Sequence, residues 1–265
     1  MKKILDDIVL NKRLEIEIRR NVYPIKDFEF SPFFYRTPLS LNASVLEPGK
    51  SGIIAEFKRR SPSKGIINDK ADVVEVTKAY SDSGASGISV LTDHDYFGGA
   101  DEDLKAVATN RTSPLLRKEF ILDPYQVLEA RAIGADAILL IAAILSKKEI
   151  HDLGKLARSL GMEVLLELHA EDELEKISPD DSLFGINNRN LQSFEVSLEH
   201  SMRLADKLPA HCTKIAESGI DSPETALQLK KEGFHGFLIG EYFMRQQNPG
   251  EAFKNFALQL NLLNN

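Results

Sequence analysis

The sequence has few of the features that mark secreted or membrane-spanning proteins. Its single cysteine, Cys212, cannot form an internal disulfide, which excludes a secreted disulfide framework. Its longest apolar run covers only residues 137–145, far short of the roughly 20 residues that span a bilayer. Asp6 and Asp7 interrupt the N-terminal stretch in which the apolar core of a signal peptide would lie. We therefore expect a cytoplasmic protein.

The chain also lacks an excess of positive charge. It carries 33 lysines and arginines against 40 aspartates and glutamates, a net charge of −7. A general binder of nucleic acid or of membrane surfaces needs a basic face, so neither partner is expected, although a local basic pocket remains possible. Hydrophobic residues make up 43% and charged residues 28% of the 265 residues, as in a globular protein with a sizeable core. We expect a monomer or a weak homo-oligomer.

Short apolar runs and helical segments alternate along most of the chain. Residues 1–20 have the spacing of an amphipathic helix, and the proline-rich residues 22–50 predict an irregular connection. A helix is then predicted after each apolar run, including one that opens at Asp123-Pro124 and ends at Gly134, and a short one from Ala170. The eight runs cover residues 52–57, 87–92, 114–120, 136–141, 162–168, 182–187, 213–218 and 236–240.

This alternation predicts an α/β fold, a (β/α)₈ TIM barrel with an N-terminal helical extension. Continuous apolar strands are typical of parallel sheets that are buried on both faces. A doubly wound open sheet is the alternative, and it is less favoured because no Gly-x-Gly-x-x-Gly follows the first run. We expect one domain over residues 1–265, with an extension over 1–50 and the barrel core over 51–265.

Polar residues follow most of the predicted strands, where a barrel places its chemistry. Each of them alone is best interpreted as a solvated strand end or a structural ion pair, but their recurrence at one depth favours convergence. Buried together, such groups shift one another's pKa values, as acid–base catalysis requires. The residues concerned are Glu56, Lys58, Lys118, Glu167, Asn187, Arg189, Glu217 and Ser218; Phe120 follows Lys118 at the end of the third run.

Two features predict a phosphate site. Glycines follow the last two strands, at Gly219 and Gly240, where barrels often hold phosphate, although glycine also serves ordinary turns. The loop after the first strand, residues 58–65, is densely cationic and suits either an anionic substrate or a plain solvated loop. By contrast, His169 is interpreted as a loop residue rather than a metal ligand, and Cys212 as incidental. No Walker A motif or nucleophile elbow is present.

The sequence resembles the indole-3-glycerol phosphate synthase family over the whole barrel. The matching motifs occur in order: IIAEFKRRSPSKG (53–65), SVLTDHDYFGG (89–99), LLRKEFI (115–121), DAILLI (136–141), LLELH (165–169), GINNRNL (185–191), IAESGI (215–220) and GFLIGEYFM (236–244). The resemblance implies a barrel whose N-terminal extension lies over the mouth. It also implies closure of the indole ring of 1-(2-carboxyphenylamino)-1-deoxyribulose 5-phosphate, with release of CO₂ and water and with no metal or organic cofactor.

The resemblance also implies roles for residues in this sequence. Lys118 would be the general acid, Glu167 the general base of the dehydration, and Lys58 a lysine that binds the anionic substrate and assists proton transfer. Glu56, Asn187 and Glu217 would orient hydroxyls and the lysines. The implied substrate-binding residues are Ser61 and Arg189 for anions, Phe97 and Phe120 for the anthranilate ring, and Ser218, Gly219, Gly240 and Glu241 for the phosphate.

Some questions stay open at the level of sequence. Another phosphosugar-binding barrel, such as an isomerase or a Schiff-base aldolase, is the alternative function, and a catalytically silent barrel that binds a metabolite or partner is a third. Desolvation lowers the pKa of a lysine while a carboxylate raises it, and the sequence does not decide which effect dominates at Lys118. At Glu241 we expect the backbone N–H rather than the side chain to face the ligand, because a carboxylate repels phosphate.

Overall fold

A computed structural model describes residues 2–189 and 195–264. Met1, residues 190–194 and Asn265 lie outside the described residues, and with them the end of the 185–191 motif. Eight parallel strands form a closed barrel in which each strand pairs with its neighbours in chain order and the last pairs with the first. They are β1 (Ile53–Phe57), β2 (Gly87–Leu91), β3 (Leu115–Lys118), β4 (Ala137–Ile141), β5 (Glu163–Leu168), β6 (Leu183–Asn187), β7 (Thr213–Glu217) and β8 (Gly236–Ile239). The predicted TIM barrel is thereby confirmed.

Helices surround the barrel and also precede it. They are α1 (Lys2–Val22), α2 (Ile25–Phe28), α3 (Leu41–Leu46), α4 (Val73–Asp82), α5 (Asp101–Thr109), α6 (Pro124–Ile133), α7 (Lys147–Ser159), α8 (Leu198–Ala205), α9 (Pro223–Lys231), α10 (Glu241–Met244) and α11 (Pro249–Asn264). Local sequence explains several of their ends. The side chain of Asp123 caps α6, whose first residue is Pro124, and Gly134 ends α6 in a left-handed conformation. The Ser146 hydroxyl and Glu149 form a capping box at the start of α7.

The core has two layers because side chains alternate along each strand. One set points into the barrel, where Ile54, Leu116 and Leu165 pack together, and the other set packs against the surrounding helices. Leu41 and Val45 of α3 belong to the inner set, so α3 closes the amino-terminal end of the barrel. The opposite, carboxyl-terminal end is therefore the open one.

The sequence-based expectation was incomplete at three places. The segment 22–50 was expected to be irregular, but it contains the short helices α2 and α3. The segment after Ala170 forms a 3₁₀ helix, Glu171–Lys176, instead of an α-helix. The cationic loop after β1 contains a short antiparallel hairpin that joins Arg60–Ser61 to Gly65–Ile66. Each of these elements is too short to show a periodicity in sequence.

Helix α1 is fixed beside the open end of the barrel by buried ion pairs. Lys12 is almost fully buried, and its Nζ lies 3.0 Å from Oδ2 of Asp93 and 3.1 Å from Oε1 of Glu119. About two turns further along α1, Arg19 pairs with both Asp101 and Glu129. These contacts bring the start of α1, including Ile4, Leu5 and Ile8, into the wall of the cavity at the open end.

Candidate active site

A cavity of about 440 Å³ opens at the carboxyl-terminal end of the barrel. That volume is typical of small-molecule sites. Every site residue predicted from the sequence lies in its wall. These are Glu56, Lys58, Ser61, Phe97, Lys118, Phe120, Glu167, Asn187, Arg189, Glu217, Ser218, Gly219, Gly240 and Glu241.

Strand register places the charged residues in one layer. Asn187 pairs with Glu217 across β6 and β7, and Glu167 pairs with Gly185 across β5 and β6. The side chain of Glu217 occupies the space that a Cβ on Gly185 would take. Glycine at position 185 therefore lets the carboxylates of Glu167 and Glu217 approach each other over the intervening strand.

Lys118 lies between these two carboxylates. Its Nζ donates to Oε2 of Glu167 at 2.8 Å and to Oε2 of Glu217 at 2.7 Å. Burial lowers the pKa of Lys118, but the negative charges of Glu167, Glu217 and Glu56 outweigh burial, and the pKa is raised well above its ordinary value. The carboxylates thus decide the question that the sequence left open, and Lys118 is an ammonium ion.

The two glutamates that share Lys118 differ in acidity. Burial raises the pKa of Glu217 to about 7, since the charges of Glu167 and Glu56 add to burial and oppose the attraction of Lys118. Burial also acts on Glu167, but Lys118 and His169 outweigh it and lower its pKa well below the ordinary value. Neighbouring carboxylates with divergent pKa values are typical of paired acid–base groups.

Glu56 and Lys58 form a second ion pair in the same wall. Nζ of Lys58 lies 2.7 Å from Oε1 of Glu56, and both side chains are largely buried. Gly240, at the end of β8, is necessary here, because a Cβ at that position would lie 2.6 Å from Oε1 of Glu56. The site therefore contains two lysines and three carboxylates.

The loops after β7 and β8 form a different end of the cavity. Ser218 and Gly219 both have positive φ, 68° and 70°, and Ser218 is the one non-glycine residue with positive φ in the described part of the chain. Such a backbone is costly for serine and occurs mainly at functional sites. The side chain of Asn188 donates to the Ser218 carbonyl at 2.7 Å and holds this conformation in place.

Cations line the same end. Nη2 of Arg189 lies 3.6 Å from Oε2 of Glu241, and Nζ of Lys64 lies 3.7 Å from Oε1 of the same carboxylate. The hydroxyl of Ser61 is 3.4 Å from that of Ser63 in the hairpin that covers this region. The Glu241 side chain thus lies among positive groups at the cavity edge, while the orientation of its N–H toward a ligand stays a prediction.

Phe97 and Phe120 form an aromatic wall. Their ring centroids are 5.9 Å apart with an interplanar angle of 40°. The backbone N–H of Phe97 donates to Asp93 at 3.1 Å, and that of Phe120 donates to Glu119 at 2.8 Å. Asp93 and Glu119 are the carboxylates that Lys12 joins, so α1 and the aromatic wall share one buried network.

Sequence reasoning missed the supporting residues Lys12, Asp93, Glu119 and Asn188 and underestimated His169. Their signals were weak, because a charge on an amphipathic helix or an amide after a strand end has many structural explanations. His169 is two residues from Glu167 and shares its strand face, which was visible in the sequence. Its buried ring nevertheless contacts Glu167 in the wall of the cavity, so the interpretation as a plain loop residue was incomplete.

Among residues 2–189 and 195–264, no group of three or more His, Cys, Asp or Glu side chains is arranged to hold a metal ion. None of the helices described there has the length and apolarity that a membrane crossing requires. Cys212 is buried and unpaired by any disulfide.

Solved structures resemble this fold. A mutant tryptophan synthase alpha-subunit from Pyrococcus furiosus matches with a TM-score of 0.60 at 16% identity and covers 80% of this chain and 98% of its own. A tryptophan synthase subunit alpha from Legionella pneumophila matches with a TM-score of 0.60 at 12% identity and covers 84% and 98%. At such low identity the likeness concerns the barrel fold alone.

Sequence comparison is more specific. The family model described as indole-3-glycerol phosphate synthase matches residues 5–256. The chain is 44% identical over 257 residues to an indole-3-glycerol phosphate synthase of Bacteroides thetaiotaomicron, covering 97% of this chain and 98% of the relative. It is 44% identical over 259 residues to the same enzyme of Salinibacter ruber, covering 97% and 96%. With its barrel and its cavity of paired lysines and glutamates, this chain belongs to the indole-3-glycerol phosphate synthase family.

Proposed function

We propose that the protein converts 1-(2-carboxyphenylamino)-1-deoxyribulose 5-phosphate to indole-3-glycerol phosphate, as a carboxy-lyase of tryptophan biosynthesis. The observation that carries this proposal is the Lys118 ammonium held between Glu167 and Glu217 in a cavity with an aromatic wall and a cationic edge. Family membership over nearly the whole chain supports the same reaction. The alternative of another phosphosugar isomerase or aldolase is less favoured.

Ring closure needs a proton at the sugar carbonyl. The ring carbon that bears the carboxylate attacks the carbonyl carbon, and Lys118 donates a proton to the carbonyl oxygen, which becomes a hydroxyl. Departure of CO₂ from the ring carbon then restores the aromatic ring. Glu217, with its pKa of about 7, is placed to return a proton to Lys118 at neutral pH.

Dehydration completes the reaction. Glu167 accepts a proton from the closed ring, and Lys58 assists by donating a proton to the hydroxyl, which leaves as water. Asn187 supports this step, because its Nδ2 donates to Oε1 of Glu167 at 3.1 Å and fixes the plane of the carboxylate. Glu56 holds Lys58 in turn.

The two ends of the cavity suit the two ends of the substrate. The Phe97–Phe120 wall would hold the anthranilate ring, and the backbone of Ser218, Gly219 and Gly240 would bind the phosphate beside Glu241. Ser61 and Arg189, which line the same end of the cavity, would add further anion contacts. No metal or organic cofactor takes part in this scheme.

We further propose that residues 1–265 act as one domain in the cytoplasm, as a monomer or weak homo-oligomer, without a nucleic-acid or membrane partner. The extension 1–50 would act with the barrel core 51–265, a division supported by the buried Lys12 ion pairs and by Ile8 in the cavity wall.

The direct test supplies the carboxyphenylamino-deoxyribulose phosphate and follows indole fluorescence. Turnover with stoichiometric release of CO₂ is expected. A protein that leaves this substrate unchanged, yet forms a covalent adduct with a sugar phosphate on borohydride treatment, is an aldolase and contradicts the proposal. The Lys118→Ala variant is the control that separates enzyme turnover from spontaneous chemistry.

A further inference from the structure

Glu167 receives an additional contact from a histidine that the scheme above does not use. Nε2 of His169 lies 2.7 Å from Oε1 of Glu167, and the His169 side chain is only 8% exposed. Its Nδ1 is buried and forms no hydrogen bond with any described residue, and the contact of Nε2 with Glu167 is a close charge pair without the geometry of a directed hydrogen bond. A buried imidazole with one ring nitrogen on a reacting carboxylate and the other unpartnered is not explained by packing alone.

The backbone of His169 is fixed from both sides. Its N–H donates to Oε2 of Glu173 at 2.6 Å, and its carbonyl oxygen is 2.9 Å from Nε2 of His200. Glu173 comes from the 3₁₀ helix after β5, and His200 comes from α8. The backbone that carries the ring is therefore held in place by two neighbouring elements, which helps to keep a positioning group in register with the group that it orients.

The contacts divide the two oxygens of Glu167 between different partners. His169 and Asn187 both reach Oε1, whereas Lys118 reaches Oε2. When Lys118 turns to the substrate, Oε2 loses its partner and Oε1 keeps both of its own. Oε2 is then the oxygen that is free to accept a proton.

We propose that His169 is a positioning residue for the dehydration: its ring pairs through Nε2 with Oε1 of Glu167, keeps that carboxylate ionised and leaves Oε2 directed at the substrate. This inference rests on the proposed function. It deepens that function by assigning the group that sustains the general base after Lys118 has given up its proton.

Charge supports this assignment. The groups around His169 are Glu167 near the end of β5, Glu173 on the 3₁₀ helix, Glu217 on β7 and His200 on α8. Burial lowers the pKa of His169, but the carboxylates of Glu167, Glu173 and Glu217 outweigh burial, and the pKa is raised. The imidazolium form thus adds positive charge to a site in which three carboxylates face two lysines.

The kinetic test compares His169→Leu, which removes the imidazole, with His169→Gln, which replaces it with a neutral polar amide. For His169→Leu we expect kcat to fall on the order of 10- to 100-fold with KM changed less than about twofold, as for loss of a hydrogen bond to a charged group. The acid limb of the kcat profile should move upward by about one pH unit, because Glu167 loses a charge that lowers its pKa.

His169→Gln should recover part of kcat, and His151→Gln, at an exposed histidine of α7, should match the unsubstituted protein. Coincident pH profiles for all four proteins would overturn the proposal.

A second measurement does not depend on activity or on the folding of the leucine variant. NMR titration of the histidine side chains should show His169 with its proton on Nε2 and a pKa above the ordinary value. Glu167→Gln should lower that pKa. An ordinary pKa that Glu167→Gln leaves unchanged contradicts the proposal even if the protein is active. An inactive unsubstituted protein with the expected titration contradicts the proposed function and leaves the His169–Glu167 pair established.

Discussion

Two buried lysines in this molecule have nearly the same surroundings and opposite relations to the cavity. Lys118 lies between Glu167 and Glu217 at 2.8 and 2.7 Å, and Lys12 lies between Asp93 and Glu119 at 3.0 and 3.1 Å. Lys118 reaches the cavity, whereas Lys12 is enclosed between α1 and the barrel. The same ion-pair pattern therefore serves chemistry in one place and assembly in the other, and access to the cavity makes the difference.

Strand alternation creates this division within three consecutive residues. Lys118 points into the barrel mouth, whereas its neighbours Arg117 and Glu119 point outward. Arg117 joins Asp101 and Glu129 at 2.8 Å each, and Glu119 joins Lys12. One strand end thus supplies the proposed acid to the site and two anchors to the surrounding helices.

The largest expected effect is on turnover at Lys118. Lys118→Ala should reduce kcat by about 10² to 10⁴, the contribution of a well-placed acid or base. The fold should persist, because the cavity can admit water and Glu217 can take up a proton when its partner is lost. Steady-state kinetics and thermal unfolding measure the two parts. Normal turnover in this variant would remove Lys118 from its proposed role.

Substitution of Lys12 should reduce turnover less than Lys118→Ala does, and should reduce the free energy of unfolding more. Lys12→Met leaves Asp93 and Glu119 as buried charges without their lysine, which costs about 3–5 kcal/mol in unfolding free energy. KM for the substrate should rise more than kcat falls, because these carboxylates hold the backbone of Phe97 and Phe120. Urea unfolding checks the first effect, with the exposed Lys155→Met as the control. Unchanged stability would show that the enclosed cluster is not an anchor.

The raised pKa of Glu217 should make the stability of the folded protein depend on pH. In the unfolded chain this carboxyl titrates near 4.5, and in the folded protein near 7, so the folded state holds the proton more tightly. Its contribution to stability is complete below pH 4.5 and is lost as the pH rises to about 7. The loss is on the order of 3 kcal/mol. Relative to Glu217→Gln, the unsubstituted protein should lose unfolding free energy over this window, and the exposed Glu232→Gln should not alter the slope. Parallel stability curves for the protein and Glu217→Gln would contradict this assignment.

The smallest effect is expected at the partly exposed Glu241. Its carboxylate neutralises Lys64 and Arg189 where the phosphate is proposed to bind. Glu241→Gln should therefore tighten inhibition by inorganic phosphate by roughly two- to fivefold at low salt, and the gain should shrink as salt screens these exposed charges. Weaker inhibition in the variant would mean that the carboxylate organises the cations instead of competing for them.

The sequence predicted the barrel and the strand-end residues because both depend on regular spacing. Apolar runs such as 136–141 and 162–168 repeat the same local pattern, and closure of the barrel brings Lys118, Glu167 and Glu217 together without further information. The motifs that resemble the family supplied the roles. What could not be predicted depends on contacts between distant segments, as when Lys12 meets Asp93 and Glu119.

The different pKa values of Glu167 and Glu217 also could not be predicted from the sequence. Glu167 and Glu217 are the same residue type at equivalent strand ends, and only their different neighbours separate their pKa values. The short helix α3 that closes the bottom of the barrel likewise has too few residues to show a period. Distances of a few ångströms, rather than residue types, decide both features.

The contact of Lys12 with Asp93 and Glu119 has a consequence for biosynthesis. During translation α1 leaves the ribosome before β2 and β3, which Asp93 and Glu119 follow. Lys12 therefore cannot pair with both carboxylates until the residues after β3 have emerged. A bulky fusion partner at the amino terminus should delay this late docking step more than an equal fusion at the carboxyl terminus. Helix α1 thus precedes the barrel strands in the chain but docks after several of them have formed.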